Sequence, residues 1–505
     1  MGKKLTYLND VLKNIRTSSN KIGSVKDRTF TYAEFLSYIE FESMYLKKMG
    51  IKNNENVLIL VNDNFKRLVV FWACIRIGAV PCFIPVNKQQ FIENQSYFIN
   101  FLNEPYIITE NKIPKLNKLI LYKPWDSKKN IFYDYQEHRD FDEKVIIFSS
   151  GTTGLPKAVM YTGQQLIENA LSIQRKKHYT SSDKLYSWLP VNHIFGLILH
   201  IIAMISTADQ LYSNIDEFIA DPQIWFEQIC KNKITITSST MMGLQFCISI
   251  KEKLTNYDIS SLRQLVLGGE AINKDTVNKF YSCFSNNGIS LKTIKVGYGL
   301  TECGIISMSE VKWETLRKQP ERIGENVHFT DKSGNTAICL GAPYDSYKVI
   351  IKDNSGCVLK EGMYGKVYIK SSVNAYGLDE TPNNEVNTGD LGFLKDNQLF
   401  ICGRDKEVLI LNGQNINLNI INDFITHNFD VKSFVIRDTT LNIDQGIIIF
   451  ILSTSIKNEN NIDDIKKMVF RKFQIGAIKI KIVNQFELLE SGKLDRRKMI
   501  EQYVL

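Results

Sequence analysis

Five consecutive apolar residues, Val57-Leu-Ile-Leu-Val61, lie between two segments with helical spacing of their apolar positions. The first segment, Tyr32 to Met49, ends at Gly50, and the second, Phe65 to Ile77, ends at Gly78. A strand that is apolar at every position is covered on both faces, which places it inside a largely parallel sheet. A glycine just past a helix end supplies the left-handed residue that stops the helix. Val80 to Ile84 follows as the next strand, and the same alternation returns from Ile234 to Lys295. Repeated strand–helix–strand units predict a layered α/β fold. From about Asp345 to Cys402 the pattern changes to short strands with Gly and Asn turns, as in KVIIKDNSGCVLK and GKVYIK. Gly403 opens a third pattern, a strand followed by helix and strand segments. A chain of 505 residues exceeds a single core. The expected organisation is α/β throughout: a large N-terminal domain of layered sheets and helices, 1–403, and a small, mobile α/β C-terminal domain, 404–505.

Composition narrows the partners. The 62 basic and 54 acidic residues leave a net charge of +8, but the basic residues are spread along the chain. The tightest clusters, Arg175-Lys176-Lys177 and Arg496-Arg497-Lys498, are brief, so the charge reads as a solvated Lys-rich surface and no nucleic-acid partner is expected. The nine cysteines form no Cys-x-x-Cys pair and no Cys/His group with zinc spacing. Scattered thiols point to a reducing, cytoplasmic setting. The N-terminal stretch lacks the apolar centre of a signal peptide, and its match to the myristoylation pattern, Gly2 and Thr6, is too short to carry weight. The strongest apolar runs, Leu68 to Pro81 and Gly196 to Ile205, are short and interrupted by Arg76 and His200. They read as buried elements, so no membrane span is expected.

The chemistry concentrates in Val145-Ile-Ile-Phe-Ser-Ser-Gly-Thr-Thr-Gly-Leu-Pro-Lys157. An apolar strand runs into a loop of small residues, where backbone N–H groups and hydroxyls approach phosphate oxygens and Lys157 adds charge. The spacing is not that of a Walker loop, and no Ser or Thr follows Lys157. By composition alone an anion cradle and an ordinary flexible turn are equally good readings.

The order of the residues goes further. SSGTTGLPK resembles the phosphate-binding signature of the adenylate-forming superfamily, which includes acyl- and aryl-CoA synthetases, peptide-synthetase adenylation domains and firefly luciferase. Further blocks stand in that family's order: Leu189-Pro-Val-Asn-His-Ile-Phe-Gly196, Gly297-Tyr-Gly-Leu-Thr-Glu302, Asn387-Thr-Gly-Asp-Leu391, and Gly403-Arg-Asp-Lys406 followed by Ser491-Gly-Lys-Leu-Asp-Arg496. Phe30 to Pro85 also looks like the family's opening region, so the resemblance covers nearly the whole chain.

The resemblance implies roles that the residue chemistry can support. Ser149, Ser150, Gly151, Thr152, Thr153, Gly154 and Lys157 would hold the phosphates of ATP. Tyr298 offers a flat face to adenine, Thr301 a hydroxyl to the α-phosphate, and Glu302 a hard oxygen to Mg²⁺. Gly269, Glu270 and Ala271 would line the adenine pocket, and Asp390, acceptor-only when ionised, suits the ribose hydroxyls, with Arg404 in reach of ribose or phosphate. His193 would border the substrate carboxylate, although a lone histidine in apolar context is more often a satisfied core residue. Met241, Met242, Gly243, Gly268 and Gly297 would complete the acid pocket; the methionines read equally well as core filler. Lys493 is implied as the cation between substrate carboxylate and α-phosphate, where it offsets the repulsion of two anions. Lys406 matches the hinge.

The implied reaction joins a small carboxylic acid to AMP with loss of pyrophosphate, then transfers the acyl group to a thiol. Coenzyme A is the expected acceptor, because the LPVNHIFGL block looks more like acyl-CoA synthetases than amino-acid adenylation domains. Loading of a carrier protein's phosphopantetheine is the alternative within the family, and a non-catalytic nucleotide-binding protein is the alternative outside it. The sequence also departs from the family. The segment Gly365 to Asp390 is short, Val386-Asn387 replaces an aromatic-Arg pair, Asn417 to Asn422 carries no acid, and Glu487-Leu-Leu-Glu490 precedes SGK. None of these removes a reacting group.

Overall fold

The computed structural model describes residues 5–26, 28–84, 88–113, 116, 118–122, 142–149, 156–318, 320, 322–330, 335–377, 384–405, 408–411, 414–438, 446–456, 461–487 and 494–504. The expected opening units form where their sequence places them. Tyr32–Lys48 is a helix with a capping box, in which Thr31 Oγ1 accepts from the Glu34 N–H and the Glu34 carboxylate accepts from the Thr31 N–H. Asn64–Ile77 is a helix that ends on Gly78 at φ +75°. Asn56–Leu60 and Val80–Phe83 pair in parallel.

Those strands belong to a seven-stranded sheet ordered Tyr376–Gly377, Lys157–Thr162, Lys144–Ser149, Val80–Phe83, Asn56–Leu60, Tyr106–Thr109, Leu119–Leu121. An eight-stranded sheet runs Gly304–Glu310, Ile294–Leu300, Gln264–Leu267, Ile236–Ser239, Lys184–Ser187, Asp209–Tyr212, Lys21–Ser24, Thr29–Thr31. Its interior pairs are parallel and both edge pairs antiparallel. The turn-rich segment makes a six-stranded antiparallel sheet, Trp313–Leu316, Asn335–Gly341, Gln398–Arg404, Glu385–Lys395, Gly365–Lys370, Lys348–Lys352. The small C-terminal domain carries a three-stranded sheet, Ser433–Arg437, Gly446–Leu452 and Ala477–Val483, with the helices Leu418–Phe429 and Asn461–Phe473. Among the described residues its core, built from Leu409, Ile421, Ile425, Ile447, Ile449 and Val469 with others, draws only on residues beyond 408. Among the described residues no helix is long and apolar enough to cross a membrane.

Arg76 and His200, which interrupt the apolar runs, are both buried. Arg76 Nε meets Glu40 Oε1 at 2.5 Å. Trp72 Nε1 donates to His200 Nε2 at 2.8 Å, which puts the imidazole proton on Nδ1, 2.8 Å from Gln210 Oε1. Gln210 Nε2 donates in turn to the Tyr32 hydroxyl at 2.6 Å. Burial pushes the His200 pKa down to about 3, so the ring stays neutral. This network fixes the helix Ile194–Ile205 against Tyr32 and Trp72, and so positions His193 and Phe195 at its start.

Glu42 is different. It is fully buried within the Tyr32–Lys48 helix, and neither carboxylate oxygen has a partner among the described residues. Burial pushes its pKa up to about 8. An acid whose folded pKa is raised takes up a proton on folding, so stability falls as pH rises from about 4.5 toward 8 and stays low above it. Glu42→Gln keeps the shape and removes the charge. Thermal melts of the variant are expected to exceed the wild type by ~3 °C or more at pH 8.5. The gap should shrink toward pH 5; a difference independent of pH would exclude Glu42 titration as its source.

Candidate active site

Parallel strands expose their C-terminal ends together, and in open α/β sheets ligands bind there. Ile236–Ser239, Gln264–Leu267 and Ile294–Leu300 are successive parallel neighbours. The candidate segments Thr240 to Gly243, Gly268 to Ala271 and Thr301-Glu302 continue from their ends.

Thr301, Glu302 and Cys303 form the tip of a hairpin, because Leu300 pairs with Gly304 across it. A three-residue tip leaves carbonyls without ladder partners, and here other elements supply them. The Tyr161 hydroxyl donates to the Thr301 carbonyl at 2.6 Å, and the Tyr347 hydroxyl to the Cys303 carbonyl at 2.5 Å. The Ala375 N–H donates to the Glu302 carbonyl at 2.8 Å. Asn169 both donates to and accepts from Ile305, at 2.8 and 3.2 Å, as the chain leaves the tip. Burial raises both tyrosine pKa values well above normal, so the phenols remain donors. The tip backbone is thus held from three sides, while the Thr301 and Glu302 side chains stay half-exposed.

Tyr298 lies just before that tip. Its hydroxyl donates to Asp390 Oδ2 at 2.6 Å, and Arg404 Nε donates to Asp390 Oδ1 at 3.0 Å. Asp390 and Arg404 are cross-strand partners in the antiparallel sheet, and the Asp390 N–H donates to Thr388 Oγ1 at 3.0 Å. Burial and the neighbouring Asp390 charge push the Tyr298 phenol well up. Asp390 is 4 % exposed, and a carboxylate, whose two oxygens offer about four acceptor sites, suits a hydroxyl-bearing ligand.

The start and end of the segment expected to hold phosphate are also fixed. Ser149 pairs with Lys157 across the two strands, with Ser149 Oγ 3.3 Å from the Lys157 carbonyl. The Tyr97 hydroxyl donates to the Pro156 carbonyl at 2.6 Å, and Phe98 and Phe101 meet the ring of Phe148 edge-on at 5.5 Å. Ser150, Gly151, Thr152, Thr153 and Gly154 lie outside the described residues, as do Lys406 and Lys493.

The remaining candidates divide. His193 caps the start of Ile194–Ile205, its carbonyl accepting from the Leu197 N–H at 3.0 Å. Gly268 is buried beside Phe195 and Gly297, whereas Gly269 and Ala271 are exposed. Glu270 Oε1 accepts from the Met242 N–H at 3.1 Å, placing its charge at the start of the helix Met241–Ser249, where the helix dipole favours an anion. Met241 is buried in the core with Leu244, and Gly243 packs its bare Cα on the ring of Trp188. Those contacts belong to core packing as much as to a pocket wall. Among the described residues no group of three or more His, Cys, Asp or Glu could hold a metal. A lone Glu302 fits Mg²⁺ that takes its other ligands from phosphate and water. Tyr161, Tyr347, Asn169 and Tyr97 were not legible as site residues, because isolated tyrosines and an asparagine carry no spacing signal.

The layered sheets, the small C-terminal domain and this site define the adenylate-forming fold. The family model for AMP-binding enzymes matches residues 13–378, and the chain belongs to that family. One solved structure from structural and functional studies of fatty acyl-adenylate ligases from E. coli and L. pneumophila superposes with a TM-score of 0.83 at 21% identity, over 99% of this chain and 98% of that one. A multidomain structure of a keto acid-selecting NRPS module gives 0.86 at 20% identity, over 99% of this chain and 46% of that one. In sequence, the chain is 31% identical over 295 residues to a candidate acyl-CoA synthetase of Caulobacter vibrioides (strain NA1000 / CB15N), covering 53% of this chain and 51% of that protein. It is 27% identical over 303 residues to the medium-chain-fatty-acid–[acyl-carrier-protein] ligase JamA of Moorena producens (strain JHB), covering 53% and 50%. The chain thus spans about half the length of these curated relatives.

Asp390→Asn keeps the size of the side chain but removes the charge that Tyr298 and Arg404 orient. Hydrogen bonds to charged groups contribute about 1.5–3 kcal/mol, so the ATP KM is expected to rise roughly ten- to hundredfold. The ranking of acids in pyrophosphate exchange should stay the same. A normal ATP KM with an altered acid ranking would put Asp390 in the wrong pocket.

Proposed function

We propose that the chain activates a carboxylic acid as its acyl-adenylate and then transfers the acyl group to a thiol. The observation that carries this reading is the Tyr298–Asp390–Arg404 linkage beside the braced Thr301–Glu302 tip. It brings an aromatic ring, a buried carboxylate and two half-exposed polar side chains to one strand end, which supports a nucleotide there. Family membership supports adenylation, and the fold of the acyl-adenylate ligases supports the same use of the site.

In the first step a substrate carboxylate oxygen attacks the α-phosphorus of ATP, and pyrophosphate leaves. Two anions must meet. Lys493 offsets their repulsion, Thr301 donates to the α-phosphate, and the segment Ser149 to Lys157 holds the departing phosphates. Glu302 would hold Mg²⁺, which supplies positive charge to the phosphate oxygens. His193 borders the acid carboxylate, and Tyr298 covers the adenine. In the second step a thiolate attacks the acyl carbon of the mixed anhydride, the C–O bond to phosphate breaks, and AMP leaves.

Coenzyme A is the acceptor we favour, from the LPVNHIFGL block and the kinship with a candidate acyl-CoA synthetase. The printed activity of JamA favours a second reading, in which a carrier protein's phosphopantetheine takes the acyl group. Supplying CoA and a holo-carrier separately after adenylate formation distinguishes them. No disulfide links any of the nine cysteines, which suits a cytoplasmic setting. Acid-dependent pyrophosphate exchange tests the whole reading; its absence across fatty, aryl, keto and amino acids would leave a non-catalytic nucleotide binder.

Lys493→Ala is expected to slow adenylate formation by about 10²–10³-fold while sparing transfer from a supplied acyl-adenylate. Equal loss in both half-reactions would overturn that role for Lys493.

A lysine held between the carboxylate and the α-phosphate would stand in the thiol's way, so this reading includes a turn of the small domain between steps. Arg404 is the last residue of a strand held in the six-stranded sheet, and the small domain's core begins at Leu409. Lys406 lies between those two residues in the chain, which supports it as the pivot. Lys406→Pro fixes φ near about −65° and removes an N–H. It should keep adenylation within about tenfold, ~1.4 kcal/mol, while thioester formation falls much further. Pre-steady-state rates of each step provide the measurement, and a parallel loss in both would move the pivot elsewhere.

A further inference from the structure

The strand Lys157–Thr162 serves the candidate site near both of its ends. Its first residue closes the segment expected to hold phosphate, and Tyr161, four residues on, donates its hydroxyl to the Thr301 carbonyl at 2.6 Å. Side chains alternate along a strand, so Lys157, Val159 and Tyr161 share one face. Val159 and Tyr161 are buried there in the main core, whereas Ala158 and Met160 pack with Phe148 on the other face. At about 3.3 Å per residue, the strand sets Lys157 roughly 13 Å from Tyr161.

That spacing is held from both sides. Lys144–Ser149 pairs with the strand along its whole length, and Tyr376–Gly377 pairs with Met160 and Val159 on the far edge. The Ala375 N–H, one residue before that short strand, donates to the Glu302 carbonyl at 2.8 Å. Beyond Thr162 the chain enters the helix Gly163–Lys177, whose Asn169 holds the Ile305 backbone. One stretch of chain, Lys157 to Asn169, thus meets the hairpin at its tip and just past it, and within it the Tyr161 hydroxyl is the contact on Thr301 itself. Tyr161 is 1 % exposed, and burial raises its pKa well above normal, so it contributes a hydrogen bond and no charge.

Building on the acid-activating reading, we infer that Tyr161 is a positioning residue for adenylate formation and acts through Thr301. Its hydroxyl ties the strand that ends the phosphate segment to the residue that meets the α-phosphate. It thereby fixes the distance between the groups that hold the departing pyrophosphate and the group that steadies the reacting phosphorus. Tyr161 itself touches no substrate. Misalignment of reacting groups by about 1 Å can cost on the order of 10²-fold in rate. That alignment matters while the bond to phosphorus is exchanged and not afterwards, because the thiol attacks carbon once pyrophosphate has gone.

Tyr161→Phe keeps the ring and its core packing and removes only the hydroxyl. In pyrophosphate exchange its kcat is expected to fall about tenfold or more with every acid that the wild type accepts. The ATP KM should stay within about threefold, because Tyr298, Asp390 and Arg404 hold the nucleotide elsewhere. Transfer to a thiol from a supplied acyl-adenylate should stay within about twofold of the wild type. A merely structural loss lowers the amount of folded enzyme and so reduces both half-reactions by one factor, which a thermal melt records. A double-mutant cycle adds the second measurement: in a Thr301→Val background, which already lacks the α-phosphate donor, Tyr161→Phe should cost no more than about twofold. Unchanged exchange, equal loss in both half-reactions, or the full loss repeated in the Thr301→Val background would each overturn the inference. Absence of exchange by the wild type with every acid is a different result, and it overturns the acid-activating reading itself.

Discussion

The hairpin that carries Thr301 and Glu302 depends on hydrogen bonds it cannot make for itself. Its tip presents the carbonyls of Thr301, Glu302 and Cys303, and the donors to them come from Tyr161, Ala375 and Tyr347. Tyr161 belongs to the seven-stranded sheet, the hairpin to the eight-stranded one, and Tyr347 stands at the entry to the six-stranded one. An unpaired carbonyl in a buried junction is costly, so the three sheets are held in register by the demand to satisfy one short turn. The helix residue Asn169 adds a fourth grip at Ile305 and also donates to the Tyr347 hydroxyl at 2.8 Å.

The same economy runs through the site. Asp390 comes from the antiparallel sheet and Tyr298 from the hairpin strand, and their 2.6 Å hydrogen bond joins the two layers at the point where a ribose would sit. Arg404 completes the carboxylate from the adjacent strand, one residue before Asp405, whose Oδ2 lies 3.4 Å from Lys366 Nζ. The contacts of Arg404 at the end of its strand are therefore those that hold the proposed nucleotide site. Preorganised charges of this kind act without reorganisation cost when negative charge builds on phosphate.

Departures from the family pattern cluster near this junction and look different once the contacts are known. Asn387, where an aromatic-Arg pair is usual, has its amide accepting from the Gly389 N–H at 3.0 Å and donating to the Tyr368 hydroxyl at 3.2 Å. Those bonds shape the turn that presents Asp390. The short segment before it still reaches back across the hairpin, since Ala375 braces Glu302 and Tyr376–Gly377 adds a strand beside Lys157–Thr162.

Sequence alone determined the α/β layering, because the all-apolar Val57–Val61 run and the glycines at 50 and 78 allow few alternatives to a buried parallel strand between helices. It also set the order of the site segments, because SSGTTGLPK, GYGLTE, TGD and SGK are contiguous and each carries its own chemistry. The short strands of Asp345 to Cys402 were legible in their turns, and their antiparallel pairing came with the structure. Only the tertiary structure decided which donors brace the Thr301 tip, that Glu270 serves the Met242 N–H, and that Gly243 packs on Trp188. It alone revealed that Ser238, of the three hydroxyl-bearing residues Thr237 to Ser239, is the one without a hydrogen-bond partner among the described residues. The reason is physical: propensity and motif spacing act over a few residues, whereas each of these facts is a contact across sheets or a choice of face, fixed only when distant segments pack.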